Sequence, residues 1–128
     1  MTVECKHMCF KSGMELKVTG SPNSNAVRFV IEVRESDENI ALHFTPTFPG
    51  TIIMNSRKDG VWGEEVRSSH FPYQYLQEFV VTITFTDTAF YINLHDGHML
   101  EFPNRLRKMK YDFIKIYDDV KVDDIDMK

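Results

Sequence analysis

The sequence has few cysteines: Cys5 and Cys9 are the only two among its 128 residues. If their segment is a strand, they lie four residues apart on one face, which is too far for an unstrained local disulfide. We therefore expect reduced thiols. Cys5, His7 and Cys9 do not complete a metal cluster either, because a closed zinc site needs four ligands and no second Cys/His pair follows at a suitable spacing. We predict no metal and no other cofactor.

Long apolar runs and a strong excess of positive charge are also missing. No stretch approaches the roughly 20 apolar residues of a membrane-spanning helix, and residues 1–10 lack a continuous apolar segment followed by a small-residue cleavage site. We expect neither membrane insertion nor a conventional secretion signal. The net charge of −4 argues against a nucleic-acid binder with a broad basic surface. One local basic group is interpreted as a solvated loop: Arg105, Arg107, Lys108 and Lys110.

A sustained helical period of apolar residues is absent too, and the chain instead contains short alternating segments separated by turn residues. Residues 79–85 have an apolar side chain at every second position, which is the period of a half-buried strand. Residues 28–34 repeat this pattern, with Arg28, Glu32 and Arg34 on the polar face. The chain has the length of one domain. Its pattern predicts an all-β fold in which two antiparallel sheets pack face to face.

Two local features refine this prediction. Residues 90–95 and 98–102 flank Asp96-Gly97, which predicts a hairpin, because Asp-Gly accepts the positive φ angles of a type I′ turn. The acidic residues 118–126 still alternate valine with charge. We expect them to form a final strand, whose charges would protect a sheet edge.

Strand parity predicts a row of polar side chains in residues 39–48. The apolar set of this segment is assigned to the core: Ile40, Leu42 and Phe44. The polar set faces the other way: His43, Thr45 and Thr47. By the same parity, Asn55 extends the row from the next segment, and Glu65 and Arg67 share a face on the one after. Trp62, the only tryptophan, follows the turn at residues 58–60 and is expected at the edge of this surface.

Such a surface suits a sugar. An imidazole, an amide, a carboxylate and a guanidinium at fixed spacing can read the orientation of hydroxyl groups, and an indole can stack on the C–H face of a pyranose ring. The alternative is an exposed sheet face with Trp62 in the core, and parity alone leaves both interpretations open.

Three sequence motifs resemble those of the galectin family. Residues 43–48, His-Phe-Thr-Pro-Thr-Phe, resemble its His-Phe-Asn-Pro-Arg-Phe; residues 53–56, Ile-Met-Asn-Ser, resemble Val-x-Asn-Ser/Thr; and residues 62–67, Trp-Gly-Glu-Glu-Val-Arg, resemble Trp-Gly-x-Glu-x-Arg. Their order and approximate spacing agree, and similarity extends over nearly the whole chain. The resemblance implies a single carbohydrate-recognition domain over residues 1–128, with the jelly-roll-like sandwich of galectins and concanavalin.

The resemblance also implies roles in binding β-galactosides without a metal. His43 would bond the galactose 4-hydroxyl, Asn55 and Glu65 its 6-hydroxyl, and Trp62 would stack on the ring. Glu65 with Arg67 would reach the next sugar. The carbohydrate-binding residues carried over from the family are His43, Thr45, Thr47, Asn55, Trp62, Glu65 and Arg67.

Two departures from the family pattern affect the expected specificity. Thr45 stands where the family has Asn, and Thr47 where it has the first Arg. The loss of two readers of the 4-hydroxyl would remove about 2–4 kcal/mol of binding free energy. We therefore predict a galectin-type lectin with weakened or altered β-galactoside specificity, accepting other hexoses such as mannose. The alternative is a protein-interaction or structural module whose sugar site has decayed.

An enzyme is disfavoured. Glu64 and Glu65 are adjacent, so they point to opposite faces of a strand and cannot flank one glycosidic bond. The chain has no Gly-x-Ser-x-Gly elbow, and residues 68–70 are interpreted as a turn. From the family resemblance we expect glycans as partners, a homodimer made by terminal strands, and a cytoplasmic protein that also leaves the cell by a non-classical route.

Overall fold

The computed structural model describes residues 2–128. This part of the chain contains twelve β-strands and no helix. The strands are β1 (Val3–Lys11), β2 (Leu16–Pro22), β3 (Phe29–Arg34), β4 (Ile40–Thr47), β5 (Thr51–Lys58), β6 (Val61–Trp62), β7 (Val66–Ser68), β8 (Phe79–Phe85), β9 (Ala89–Asn93), β10 (Met99–Pro103), β11 (Lys110–Asp118) and β12 (Val120–Met127).

The strands form two antiparallel sheets that pack face to face. A seven-stranded sheet has the order β1-β11-β3-β4-β5-β6, with β7 paired to β5, and a five-stranded sheet has the order β10-β9-β8-β2-β12. The prediction of an all-β, two-sheet sandwich is therefore confirmed. None of the described residues belongs to a helix long and apolar enough to span a membrane.

Aromatic side chains join the two sheets. Phe29 of β3 stacks on Phe79 of β8, with 4.9 Å between ring centroids, and Tyr73 contacts Phe29 edge-on at 5.3 Å. Near the other end, Phe10 of β1 meets Phe85 of β8 at 4.9 Å. A buried side chain of this size contributes about 1.5–3 kcal/mol by leaving water. The predicted apolar face of residues 79–85 is confirmed, because these residues lie in the core: Phe79, Val81, Ile83 and Phe85.

Strand β3 differs from its prediction as a half-buried strand. All six residues of Phe29–Arg34 are buried, including Glu32 and Arg34. The reason is the position of β3 between β11 and β4 in the middle of the larger sheet. Arg34 also satisfies the buried charge of Glu32, with 2.6 Å between its Nη2 and Glu32 Oε1.

The predicted hairpin is present, but its turn is not type I′. β9 and β10 pair up to Asn93 and Met99, and only Gly97 of the Asp96-Gly97 pair has a positive φ, +90°. Within the loop, the Leu94 N–H donates to the carbonyl of His98 at 2.8 Å, and the Gly97 N–H donates to the carbonyl of Leu94 at 2.9 Å. These bonds close a longer loop with a single left-handed glycine, which a two-residue turn does not allow.

A two-residue turn with both φ angles positive joins β5 to β6 instead. Asp59 has φ +50° and Gly60 has φ +80°, and Lys58 pairs directly with Val61. Asn39 Oδ1 accepts a hydrogen bond from the Asp59 N–H at 3.0 Å. This tight turn sets the position of Trp62, the last residue of β6.

The first and last strands lie at the edges of the two sheets. β1 is the edge of the larger sheet and β12 the edge of the smaller one, so the predicted final strand is confirmed. Cys5 and Cys9 are free thiols. β1 is not regular between them, because it has a bulge between Lys6 and Phe10 and Cys9 has a φ of +52°.

Candidate functional site

A surface cavity of about 660 Å³ lies on the face of the larger sheet that points away from the core. Six of the seven predicted site residues line it, and Arg67 does not. The lining residues are Arg28, His43, Thr45, Thr47, Ile53, Asn55, Trp62, Gly63, Glu65 and Tyr117.

β4 positions the predicted row as parity requires. Its apolar residues are buried in the core: Ile40, Leu42 and Phe44. His43, Thr45 and Thr47 line the cavity. The row is more enclosed than an open sheet face, because Thr45 is only 3% exposed. Among the described residues, no partner bonds the buried Thr45 hydroxyl, and a buried polar group without a partner costs about 1–3 kcal/mol.

Asn55 of β5 lies directly opposite His43 in the register. Its Nδ2 donates to the carbonyl of Gly63 at 3.0 Å, and its Oδ1 accepts from the Ser56 N–H at 2.8 Å. The amide thus connects β5 to the segment after β6. Arg105 Nη1 also donates to Oδ1, so among the described residues one N–H of Nδ2 has no partner at the cavity that Asn55 lines.

Trp62 is 45% exposed, so the alternative that placed it in the core is wrong. Its ring meets the His43 ring edge-on at a centroid distance of 4.9 Å. The Arg57 guanidinium lies 5.6 Å from the centroid of the indole. These two contacts hold the indole at one end of the cavity while leaving part of it open to solvent.

Glu65, just before β7, and Arg67 of β7 form an ion pair. Arg67 donates from Nε at 3.0 Å and from Nη2 at 2.8 Å to Glu65 Oε2. The prediction that the two side chains share a face is confirmed. Because both side chains are about half exposed, the ion pair contributes little to the stability of the fold. Its main effect is to fix the position of the Glu65 carboxylate.

The sequence model described as "Galactoside-binding lectin" matches residues 1–127. The chain belongs to this family, the galectins. Galectin-2 of Mus musculus is 41% identical over 104 residues, which are 80% of each chain. The solved structure titled lactose- and MES-liganded congerin II is 36% identical, with a TM-score of 0.95 and full coverage of both chains. A homodimeric agglutinin from chicken liver is 29% identical, with a TM-score of 0.96 and full coverage of both chains.

Family membership also answers the question of catalysis. Galectins are carbohydrate-binding proteins without enzymatic activity, so the prediction of a non-enzymatic lectin is confirmed. In this galectin, polar residues of β4 and β5 and the segment from Trp62 to Glu65 line one cavity.

Sequence reasoning missed a buried carboxylate that contacts two residues of this galectin's cavity, His43 and Tyr117. Glu32 Oε2 is 2.5 Å from His43 Nδ1 and accepts from Tyr117 Oη at 3.0 Å, while Arg34 Nε donates to Oε1 at 2.7 Å. Burial raises the pKa of Glu32, but the bond and charge of His43 and the charge of Arg34 outweigh it and hold that pKa below its ordinary value. Parity did place Glu32 on a polar face, but strand order, which parity does not give, brings it beside His43.

Tyr117 of β11 and Arg28, just before β3, also line the cavity. Sequence reasoning did not predict them as site residues, because it does not give the strand order. Burial, followed by the nearby Glu32 carboxylate, raises the pKa of the Tyr117 phenol. Arg28 lies opposite Thr47 in an isolated bridge, and its Nε donates to Asp118 Oδ2 at 3.1 Å. The site therefore has a guanidinium on the β3 side of the motif strand.

The interpretation of the basic group as a solvated loop is wrong for Arg105, which contacts a predicted site residue. Its Nη1 donates to Asn55 Oδ1 at 3.3 Å and to Ser56 Oγ at 3.2 Å, and its guanidinium lies 4.7 Å from the centroid of the Phe102 ring. Arg105 thus helps to fix the Asn55 side chain, whereas Arg107, Lys108 and Lys110 are exposed.

Gly63 makes this arrangement possible. A Cβ at this position would lie 2.9 Å from Arg105 Nη1 and 3.4 Å from Asn55 Oδ1. A side chain there would displace the guanidinium or the amide, so the Trp-Gly pair of the motif has a direct packing reason.

Proposed function

We propose that this galectin binds glycans in the cavity, with weakened or altered β-galactoside specificity that admits other hexoses such as mannose. One observation carries the proposal: an exposed indole lies edge-on to an imidazole that heads a row of polar side chains along one cavity. Stacking on a pyranose face needs the first group, and discrimination among hydroxyls needs the second.

The proposed contacts follow the family motifs. His43 bonds the galactose 4-hydroxyl, Asn55 and Glu65 bond the 6-hydroxyl, and Trp62 stacks on the ring. Glu65 with Arg67 contacts the next sugar. The ion pair between these last two residues supports this role, because it fixes a carboxylate at the rim of the cavity before any ligand arrives.

Thr45 and Thr47 support a change of specificity. Both line the cavity at the positions where the family motif has Asn and Arg. Each is shorter, and neither supplies a charge, so the expected loss of about 2–4 kcal/mol corresponds to about 30- to 1000-fold in galactoside affinity. The Thr45 hydroxyl is buried and unpaired, so its side chain would have to rotate before a sugar hydroxyl could pair with it.

A glycan array, read with and without lactose as competitor, tests the proposal. We expect signals from galactosides or other hexosides in the micromolar to millimolar range, because each contact is modest. Silence at high protein concentration would contradict it. The second candidate, an interaction module with a decayed site, would then be favoured by the same buried Thr45, whose enclosure leaves less polar surface for a sugar.

Fluorescence of Trp62 provides an independent test, because it is the only tryptophan. We expect a soluble quencher to reduce its emission and a bound saccharide to protect it. A saccharide that binds without protecting the indole would remove the stacking role.

We further propose a homodimer formed by terminal strands, and a cytoplasmic protein that also leaves the cell by a non-classical route. The outermost positions of β1 and β12 in their sheets support the first, and so does the homodimeric state named for the chicken-liver agglutinin. The second rests on the family resemblance and the free thiols. Detection of the native protein in culture medium while secretory-pathway transport is blocked tests the export route.

A further inference from the structure

The carboxylate of Glu32 has a donor arrangement that determines which nitrogen of His43 carries hydrogen. Oε1 faces Arg34, whose Nε and Nη2 lie 2.7 and 2.6 Å away. Oε2 faces His43 Nδ1 and the Tyr117 hydroxyl. An ionised carboxylate only accepts hydrogen bonds, so Nδ1 must be the protonated nitrogen. A neutral His43 ring then has Nε2 as an acceptor, and no residue within 2–128 is bonded to that atom.

We propose that Glu32 is a positioning residue that keeps His43 Nε2 as a hydrogen-bond acceptor toward the ligand. The site then selects a ligand hydroxyl that donates at this point. This inference rests on the proposed function, since it specifies how the same cavity reads its sugar. It also gives the buried charge in the middle of the larger sheet a purpose in recognition.

An amide at position 32 would reverse this polarity. Arg34 offers two N–H groups to the Oε1 position, so the carbonyl oxygen of a glutamine would turn toward Arg34. The NH₂ group would then occupy the Oε2 position and donate to His43 Nδ1. His43 would carry its hydrogen on Nε2, and the ring would present a donor to the ligand. The prediction for Glu32→Gln is therefore an inverted tautomer and not simply a weaker bond.

Long-range ¹H–¹⁵N NMR of the histidine rings tests this in the ligand-free protein at pH 8. In the parent protein we expect His43 as the Nδ1–H tautomer, and in Glu32→Gln as the Nε2–H tautomer. Two control variants should keep the parent signature. Asp37→Asn removes the charge of an Arg34 partner that does not contact Glu32, and Tyr117→Phe removes a donor but leaves the carboxylate in place.

A parent protein with the Nε2–H tautomer would overturn the inference, even if the Glu32→Gln variant failed to fold. A folded Glu32→Gln variant that keeps the parent tautomer would overturn it as well. A loss of structure alone would change every ring signal, whereas the inference requires an exchange of the two nitrogen shifts of His43.

Binding of monodeoxyfluoro derivatives of lactose tests the consequence for the ligand. Fluorine cannot donate a hydrogen bond, so the parent should bind the derivative altered at the His43 contact about tenfold more weakly than lactose. In Glu32→Gln this penalty should fall to about two- to threefold, because Nε2–H can donate to fluorine. An unchanged penalty would contradict the inference. If neither protein bound lactose, the proposed galactoside binding would be wrong, and the tautomer experiment would still decide the role of Glu32.

Discussion

Thr45 and Thr47 are the residues at which this galectin departs from the motif that it otherwise follows. Parity in β4 predicted that both face away from the core, and both line the cavity. The sequence did not reveal how enclosed Thr45 is, because its burial depends on neighbouring strands. Glu32, Tyr117 and Arg105 escaped prediction for a related reason. Their contacts with site residues join segments from 11 to 85 positions apart.

The double substitution Thr45→Asn with Thr47→Arg tests whether restoring the two family residues is enough to restore galactoside binding. We expect lactose affinity to rise at least about tenfold, because the change restores an amide and a guanidinium beside His43, and a charged contact contributes about 1.5–3 kcal/mol. Calorimetry on the parent and the double mutant measures it. The Thr47→Lys analogue with the same Asn is the matched control, since it restores charge without the planar fork and should gain less. A folded double mutant that still ignores lactose would contradict the prediction.

Thr45→Val should change protein stability and sugar affinity in opposite directions. The hydroxyl of Thr45 is buried and unpaired, so its replacement by a methyl group should raise the free energy of unfolding by about 1 kcal/mol. Sugar affinity should fall a few-fold, because a ligand hydroxyl loses its partner. Urea unfolding and sugar titration of the same samples provide both values. Thr47→Val is the control for stability, because the Thr47 hydroxyl already donates to the Thr45 carbonyl at 3.3 Å. A less stable Thr45→Val would show that the hydroxyl has a partner.

At the scale of elements, β3 connects the stability of the larger sheet to its site. Two charged residues of β3, Glu32 and Arg34, are hydrogen-bonded to each other. Arg34 also donates to Asp37, and Glu32 is also hydrogen-bonded to His43. Periodicity predicted the strand and its apolar face. It could not predict the full burial, because the pairing of β3 with β11 joins residues about 80 positions apart.

The contacts of Glu32 should make the unfolding free energy decrease at acidic pH. The pKa of Glu32 is lower in the folded protein than its ordinary value of 4.5. Its contribution is therefore fully present above the unfolded pKa and is lost as the pH falls through the lower folded pKa. We expect the difference in unfolding free energy between the parent and Glu32→Gln to be largest at pH 6–7 and to shrink below about pH 4.5. Urea unfolding at pH 7, 4 and 3 measures it, and a difference independent of pH would contradict it.

The segment after β10 should matter for binding although it lies outside the motifs. Arg105→Ala removes the bonds to Asn55 and Ser56, so the Asn55 amide loses one of its braces. We expect a few-fold loss of sugar affinity with a stability loss of about 1 kcal/mol or less. Arg107→Ala provides the control, because Arg107 is an exposed neighbour. Equal affinity in the two variants would exclude a bracing role.

At the scale of the whole molecule, the first and last strands, β1 and β12, are edge strands of different sheets. Edge strands carry unpaired backbone groups and invite association unless they are protected. Acidic residues along β12 would oppose uncontrolled extension, while a two-fold partner could still satisfy the edges. The alternating apolar pattern predicted the sandwich, but it does not predict which edge a second subunit covers.

Light scattering tests the predicted homodimer. We expect a species of about twice the chain mass of 15.0 kDa at high micromolar concentration. A proline in the middle of β1, as in Lys6→Pro, should shift the equilibrium toward the monomer if this edge forms the interface, because proline cannot donate a ladder hydrogen bond. A purely monomeric parent would contradict the dimer, and an unaffected dimer would move the interface away from β1.

The alternation of β4 has a consequence for how this lineage can change. Its even-numbered residues from Ile40 to Phe44 lie in the core, while the odd-numbered ones from His43 to Thr47 line the cavity. A mutation in the second set changes the lining of the cavity while the apolar residues of β4 that join the two sheets stay the same. Thr45 and Thr47, which depart from the family motif, are replacements of this kind.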